Sequence, residues 1–258
     1  MPKNKMKPLI LITNDDGVAS RGLLHLASIA QEYGEVIVMA PDHNASGVST
    51  SITSTRPLRV NTISQSESYS VYSCDGTPAD CVKMGIEHFC PRTPDLVLSG
   101  INYGSNASIN VIYSGTIGAV LEASLNGFPA IGFSLLNHNP AADFDACTPT
   151  IRHILSHVLQ HPLPDFTALN VNIPRLPANE IKGIRICRQA RAAWKDSLEK
   201  RIDPIGRPYW WLTGKFVCDN PPVDSDQYLL AQGFATVVPI RPDFTTSQSL
   251  DSFKNLEQ

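Results

Sequence analysis

Leu9-Ile10-Leu11-Ile12-Thr13 runs without a break into Asn14-Asp15-Asp16-Gly17. Four consecutive branched or apolar residues in so short a run predict a strand buried on both faces, as in the middle of a parallel sheet. Two adjacent carboxylates at the end of such a strand repel each other where solvent screens them poorly. Two arrangements answer that conflict. Either a divalent cation with hard oxygen ligands sits there, or the turn is a plain βα loop in which Asp16 caps the next helix. The nine residues themselves do not choose between them.

Downstream, the spacing of Leu23, Leu24, Leu26, Ala27 and Ala30 predicts a helix over 21–33, stopped by Gly34, and Glu35 to Ala40 predicts a second buried strand. Strand, helix and strand within about 35 residues make a right-handed βαβ unit. Its first turn lacks the GxGxxG of a dinucleotide fold and is acidic where pyrophosphate would need bare backbone, which disfavours a nicotinamide dehydrogenase. Ser- and Thr-rich residues 48–76 predict a β-hairpin excursion. Thr77-Pro78 then opens a helix, with Thr77 as cap and Pro78 at its first position. Further strands are predicted at 95–100, 130–136, 167–173, 181–188 and 234–240, and helices at 117–125, 145–159 and 225–231. Arg207 to Leu212, with Trp210 and Trp211, predicts one arm of a hairpin answered by 215–217. Such aromatics need something to pack on, a second subunit or the same chain. The polar tail from Pro242 is predicted to fray.

Three loops, each after a buried strand, carry oxygen ligands: Asp15 with Asp16, Ser46, and Asn102. Loops at the carboxyl ends of neighbouring parallel strands share one crevice. Two carboxylates, a hydroxyl and an amide carbonyl suit Mg²⁺ or Mn²⁺ and suit zinc poorly. Helix starts at Thr77 and at Ser114-Gly115-Thr116 offer N–H groups and hydroxyls to an anion beside that cation, although simple capping explains them equally well. Asn44, Gly47 and Asn106 in the same loops join Thr77, Ser114, Gly115 and Thr116 as candidate phosphate contacts. A hard cation next to an anion pocket, with no P-loop for a triphosphate, points to hydrolysis of a phosphoester. His153, His157 and His161 recur four apart, but without an acid or cysteine ligand they read as surface residues.

Composition closes off other classes. A net charge of −3 over 258 residues offers no general basic field for a nucleic-acid polymer. The six cysteines, Cys74, Cys81, Cys90, Cys147, Cys187 and Cys218, form no CxxC pair, so zinc and redox motifs find no support. No apolar run approaches the roughly 20 residues that cross a bilayer. Lysines precede residues 8–13, but that run is too short for a signal peptide. The expectation is a reduced, cytoplasmic protein with no membrane partner.

Taken together, Asn14-Asp15-Asp16-Gly17, the segment Pro41 to Gly47, the segment Gly76 to Val82, Ser99-Gly100-Ile101-Asn102, Tyr113-Ser114-Gly115-Thr116 and the end segment Gly233 to Pro239 resemble the SurE family of stationary-phase survival proteins. The resemblance implies an α/β fold, a Rossmann-like mostly parallel sheet flanked by helices, in a core over 1–190. It implies a C-terminal β-hairpin arm within 191–258, exchanged between the subunits of a homodimer that can pair into a homotetramer. It implies a divalent-metal-dependent 5′/3′-nucleotidase acting on nucleoside monophosphates, with one Mg²⁺ or Mn²⁺ per subunit on Asp15, Asp16, Ser46 and Asn102. Asp16 is then chiefly a ligand, and Asp15 is a ligand and the candidate base or nucleophile. His43 stands where the family commonly has arginine, and Ser108 and Asn110 where glycine and aspartate are frequent. The alternatives are a non-catalytic nucleotide sensor, a broader phosphatase that includes polyphosphate, and an assembly scaffold built on the aromatic arm. A dehalogenase-type phosphatase is disfavoured because it needs DxD where the acids here are adjacent.

Overall fold

The computed structural model describes residues 7–139 and 141–257; the lysines of the first six residues lie outside them. In chain order the elements are β1 (Leu9–Thr13), α1 (Arg21–Ala30), β2 (Glu35–Pro41), β3 (Val60–Gln65), β4 (Tyr69–Cys74), α2 (Pro78–Met84), β5 (Leu96–Tyr103), α3 (Gly115–Leu125) and β6 (Ala130–Leu135). There follow α4 (Thr148–Gln160), β7 (Ala168–Ile173), β8 (Ile184–Ile186), β9 (Ala193–Ile202), β10 (Pro208–Val217), α5 (Asp226–Ala231) and β11 (Ala235–Ile240).

One sheet of nine strands, ordered β3-β4-β2-β1-β5-β6-β7-β11-β8, forms the centre. From β4 to β7 every neighbour is parallel; β3 runs antiparallel to β4, and β11 antiparallel to β7. The β1 side chains explain why that strand reads as apolar throughout. Ile10 and Ile12 pack with Leu23 and Leu26 of α1 and Ile151 and Leu155 of α4. Leu9 and Leu11 face the other way, with Val82 of α2 and Ile117 and Val120 of α3. Each such side chain contributes about 1.5–3 kcal/mol on burial, so the alternation locks β1 between two helical layers. Among the described residues no helix is long and apolar enough to cross a membrane.

The strand order also fixes where a ligand goes. The chain moves outward from β1 to β2 and β4, then returns to place β5 on the other side of β1. The loops after β1 and β5 diverge there and leave a crevice at the carboxyl edge.

Several sequence expectations are corrected. The hairpin over 48–76 is no excursion: β4 pairs with β2 in register from Val36↔Tyr69 to Pro41↔Cys74, and β3 becomes the sheet's edge. The aromatic arm is paired differently from expectation. Residues 208–217 form one strand, and its partner is β9, with Trp210 opposite Lys200 and Trp211 opposite Glu199. The long charged run of β9 concealed the strand, because Lys195, Asp196, Glu199, Lys200 and Arg201 break any apolar alternation. The helix predicted over 145–159 begins as a 3₁₀ turn at Asp145–Cys147, and the strand predicted over 181–188 shrinks to the three residues of β8. The tail is not frayed; it forms exposed 3₁₀ turns over Ser247–Leu256.

Candidate functional site

Asn14 builds the turn that presents the two aspartates. Its side-chain nitrogen donates to the Gly17 carbonyl at 3.1 Å and to Ser20 Oγ at 2.7 Å. Gly17 accepts a φ of +99° that a side chain would resist. Ser20, not Asp16, caps α1, its Oγ accepting from Leu23 N–H. The capping alternative for Asp16 is thereby removed, and neither carboxylate caps α1.

Asp15 is buried against the start of α3. Thr116 Oγ1 donates to Asp15 Oδ1 at 2.6 Å, and the backbone amides of Gly115 and Thr116 also point to the carboxylate. Burial raises its pKa above the usual carboxylate range, while these donors pull it down. Gly115 is required for the approach, since a Cβ there would sit 2.8 Å from Asp15 Cβ. Asp16 is half-buried beside the end of β5, where the Tyr103 amide donates to it. Burial, and then the charge of Asp15, push its pKa up to about 7. Its Oδ2 is buried with no hydrogen-bond partner among the described residues.

The other two loops are tied to this turn by backbone hydrogen bonds. Ala45 N–H donates to the Asp15 carbonyl at 2.7 Å, which brings Ser46 alongside. Asn44 Oδ1 accepts from Ser46 N–H at 2.8 Å and so shapes the turn that carries the hydroxyl. On the other side, the pairing of β5 with β6 shifts register between Ser99 and Asn102. Gly100, at a φ of +127°, makes the bend; a Cβ there would meet the Phe133 carbonyl oxygen at 2.3 Å. Such irregularities re-aim side chains next to functional sites. Asn102 Nδ2 donates to the Gly104 carbonyl at 3.0 Å, which leaves Oδ1 as the end available to a cation.

A crevice of about 500 Å³ opens at this edge, lined by Asp15, Ser46, Gly47, Asn102, Asn106 and Ser114 among others. Asp16 does not line it but adjoins Asp15, which does. Ser114 caps α3 through its oxygen, accepting from Ile117 N–H at 3.1 Å, so its hydroxyl hydrogen remains to be donated. Asn106 belongs to a buried amide network with Ser134, Asn170 and Asn172. Four candidate phosphate contacts take other work. Asn44 shapes the Ser46 turn and does not line the crevice. Thr116 is fully buried and its hydroxyl is committed to Asp15; Gly115 packs on the same carboxylate. Thr77 closes a capping box with Asp80, donates to the Ser51 carbonyl, and does not line the crevice.

The departures noted above have structural counterparts. Exposed His43 pairs with Asp42 at 2.6 Å and stays out of the crevice. Ser108 adopts a φ of +58°, a conformation that suits glycine, and is held there by Asp226 and Ala190. Asn110 lines the crevice. His157 and His161 stack on the surface at 4.5 Å between centroids, with His153 also exposed. Sequence reasoning missed His138, Trp194, Asp196 and Leu212 in the crevice wall. No local pattern announces them: His138 stands in the loop after β6, and the other three come from the arm, far downstream in the chain.

The family model described as survival protein SurE matches residues 10–196. A protein named 5′-nucleotidase SurE from Christiangramia forsetii is 50% identical over 244 residues, covering 94% of each chain. One of the same name from Flavobacterium psychrophilum is 46% identical over 250 residues, covering 96% of this chain and 97% of its own. The crystal structure of the SurE protein from Aquifex aeolicus superimposes with a TM-score of 0.84 at 37% identity, over 97% of this chain and all of that one.

Proposed function

Because this chain belongs to the SurE family, we propose that it is a 5′-nucleotidase, a divalent-metal-dependent phosphomonoesterase that hydrolyses nucleoside 5′- and 3′-monophosphates. The observation that carries the reading is the Asp15–Asp16 pair: two adjacent carboxyls, one with an unpartnered buried oxygen and a pKa pushed up to about 7. Like charges so placed call for a cation. An all-oxygen donor set of Asp15, Asp16, Ser46 and Asn102 fits Mg²⁺ or Mn²⁺. The activity named for the relatives agrees with that chemistry.

What the ion supplies when bound is withdrawal of charge from phosphorus and easier deprotonation of a water. The chain's own residues do the rest. Asp15, fixed by Thr116 and the first amides of α3, takes the proton of the attacking water. The Ser114 hydroxyl, the Gly47 amide and the remaining amide hydrogen of Asn106 bind phosphate oxygens as their charge redistributes. Asn44 holds the Ser46 turn in place. The six cysteines are free, in keeping with a cytoplasmic home.

A homodimer is part of the same proposal. The outer part of the arm, within the region 191–258, exposes Leu198, Ile202, Trp210 and Trp211, all more than half accessible. Exchange of that segment with a partner would cover them. Measuring AMP binding and phosphate release on one sample tests the reading against the sensor alternative. Tight binding without release would favour the sensor, and release from tripolyphosphate at a matching rate would favour the broader phosphatase.

A further inference from the structure

The mouth of the crevice has an aromatic wall that phosphoester chemistry leaves unused. Trp194, near the start of β9, is 43% exposed and yet held from two sides. Its Nε1 donates to Asn110 Oδ1 at 2.8 Å, and its ring meets Phe216 edge to face with centroids 5.6 Å apart. Asn110 is braced in turn, its Nδ2 donating to the Ser105 carbonyl at 3.1 Å. An indole whose N–H is spent and whose orientation is fixed can offer ring surface at little cost in entropy. Tyr113 and Leu212 line the same crevice, whose floor is the oxygen set of Asp15, Asn102 and Ser114. The site thus grades from the buried polar Asp15, Asn102 and Ser114 to the more exposed Trp194, Tyr113 and Leu212, with Asp196 and His138 also in the wall. A nucleoside monophosphate has the same gradation from phosphate to base.

Resting on the nucleotidase reading, the geometry points to Trp194 as the stacking platform for the nucleobase, with Asn110 as its positioning residue. Stacking on a π face reads area rather than the hydrogen-bond pattern of the base edge. Purine monophosphates are therefore held better than pyrimidine ones, with little distinction between adenine and guanine.

Steady-state kinetics with Mn²⁺ on AMP, CMP and ribose 5-phosphate, which carries the same ester without a base, test this in wild type, Trp194→Ala, Trp194→Phe and Asn110→Ala. The expected result is that Trp194→Ala lowers the ratio of kcat/KM for AMP over ribose 5-phosphate about tenfold, mainly through KM. Trp194→Phe restores most of the ratio, and Asn110→Ala lowers it by a smaller factor. An equal loss on both substrates would overturn the platform and make Trp194 a brace for the arm, as would an unchanged KM for AMP. Should Trp194→Ala not fold, AMP quenching of indole fluorescence in wild type minus that in Trp194→Phe replaces it, and a zero difference overturns the proposal. A wild type that hydrolyses ribose 5-phosphate as well as AMP sinks the platform alone. One that hydrolyses neither sinks the nucleotidase reading beneath it.

Discussion

Asp16 carries a charge that the fold by itself disfavours. Its folded pKa of about 7 stands above the ordinary 3.8, chiefly through burial and secondly through Asp15. A carboxyl raised in this way stabilises the fold most when protonated. In metal-free protein the contribution is therefore full below about pH 4 and is lost as pH rises through about 7. Thermal unfolding in EDTA should show a lower Tm at pH 8 than at pH 5, and Mn²⁺ should raise Tm more at pH 8. A flat profile in EDTA would contradict the burial of that charge. Asp16→Asn keeps the volume and removes the repulsion, so its Tm in EDTA at pH 8 should equal or exceed the wild type's while phosphate release is abolished. Near-normal turnover in that variant would count against Asp16 as a ligand. Thr116→Val deletes a hydrogen bond to a charged acceptor, worth about 1.5–3 kcal/mol, and kcat should fall at least about tenfold while Thr116→Ser retains activity.

At the scale of elements, the site depends on how closely β5 is approached from both sides. A Cβ on Gly22 of α1 would sit 2.1 Å from the Ile101 carbonyl oxygen, next to the proposed ligand Asn102. Gly22→Ala must push α1 away from the strand, an overpacking cost of about 1–3 kcal/mol. It should lower Tm and weaken Mn²⁺ binding together, and an unchanged Mn²⁺ affinity would show that Asn102 is placed without α1. The parallel strands and the helices between them were legible because burial on both faces writes itself into uninterrupted apolar runs such as 9–12 and 36–40. The loops bearing Ser46 and Asn102 were legible through those strands, since the carboxyl edge gathers whatever follows them. The competition for hydrogen-bond donors at the start of α3 was not legible. Thr116 and Ser114 look alike as helix-start hydroxyls, and only the packing of Asp15 assigns one to the aspartate and the other to the crevice.

Across the whole molecule, the arm links the site to the proposed dimer. Its inner end walls the crevice through Trp194 and Asp196, Leu212 reaches the same wall from mid-length opposite Leu198, and its outer end presents Trp210 and Trp211 to solvent. The pairing β9–β10 was hidden because a strand that packs on no core need not alternate, and β9 is exposed along its whole length. Replacing both Trp210 and Trp211 by serine should reduce the mass seen by light scattering to that of one chain, without loss of the crevice residues. A mass unchanged from wild type would place the interface elsewhere. The central claim, a phosphomonoesterase whose adjacent aspartates work through a divalent ion, meets its most direct test in one assay. Protein stripped with EDTA is given AMP and titrated with Mn²⁺ while phosphate release is followed. The account predicts no release without the ion, release that saturates as Mn²⁺ is added, and none at any Mn²⁺ concentration for Asp16→Asn. Release that persists in EDTA, or its absence with every nucleoside monophosphate at saturating Mn²⁺, would contradict it.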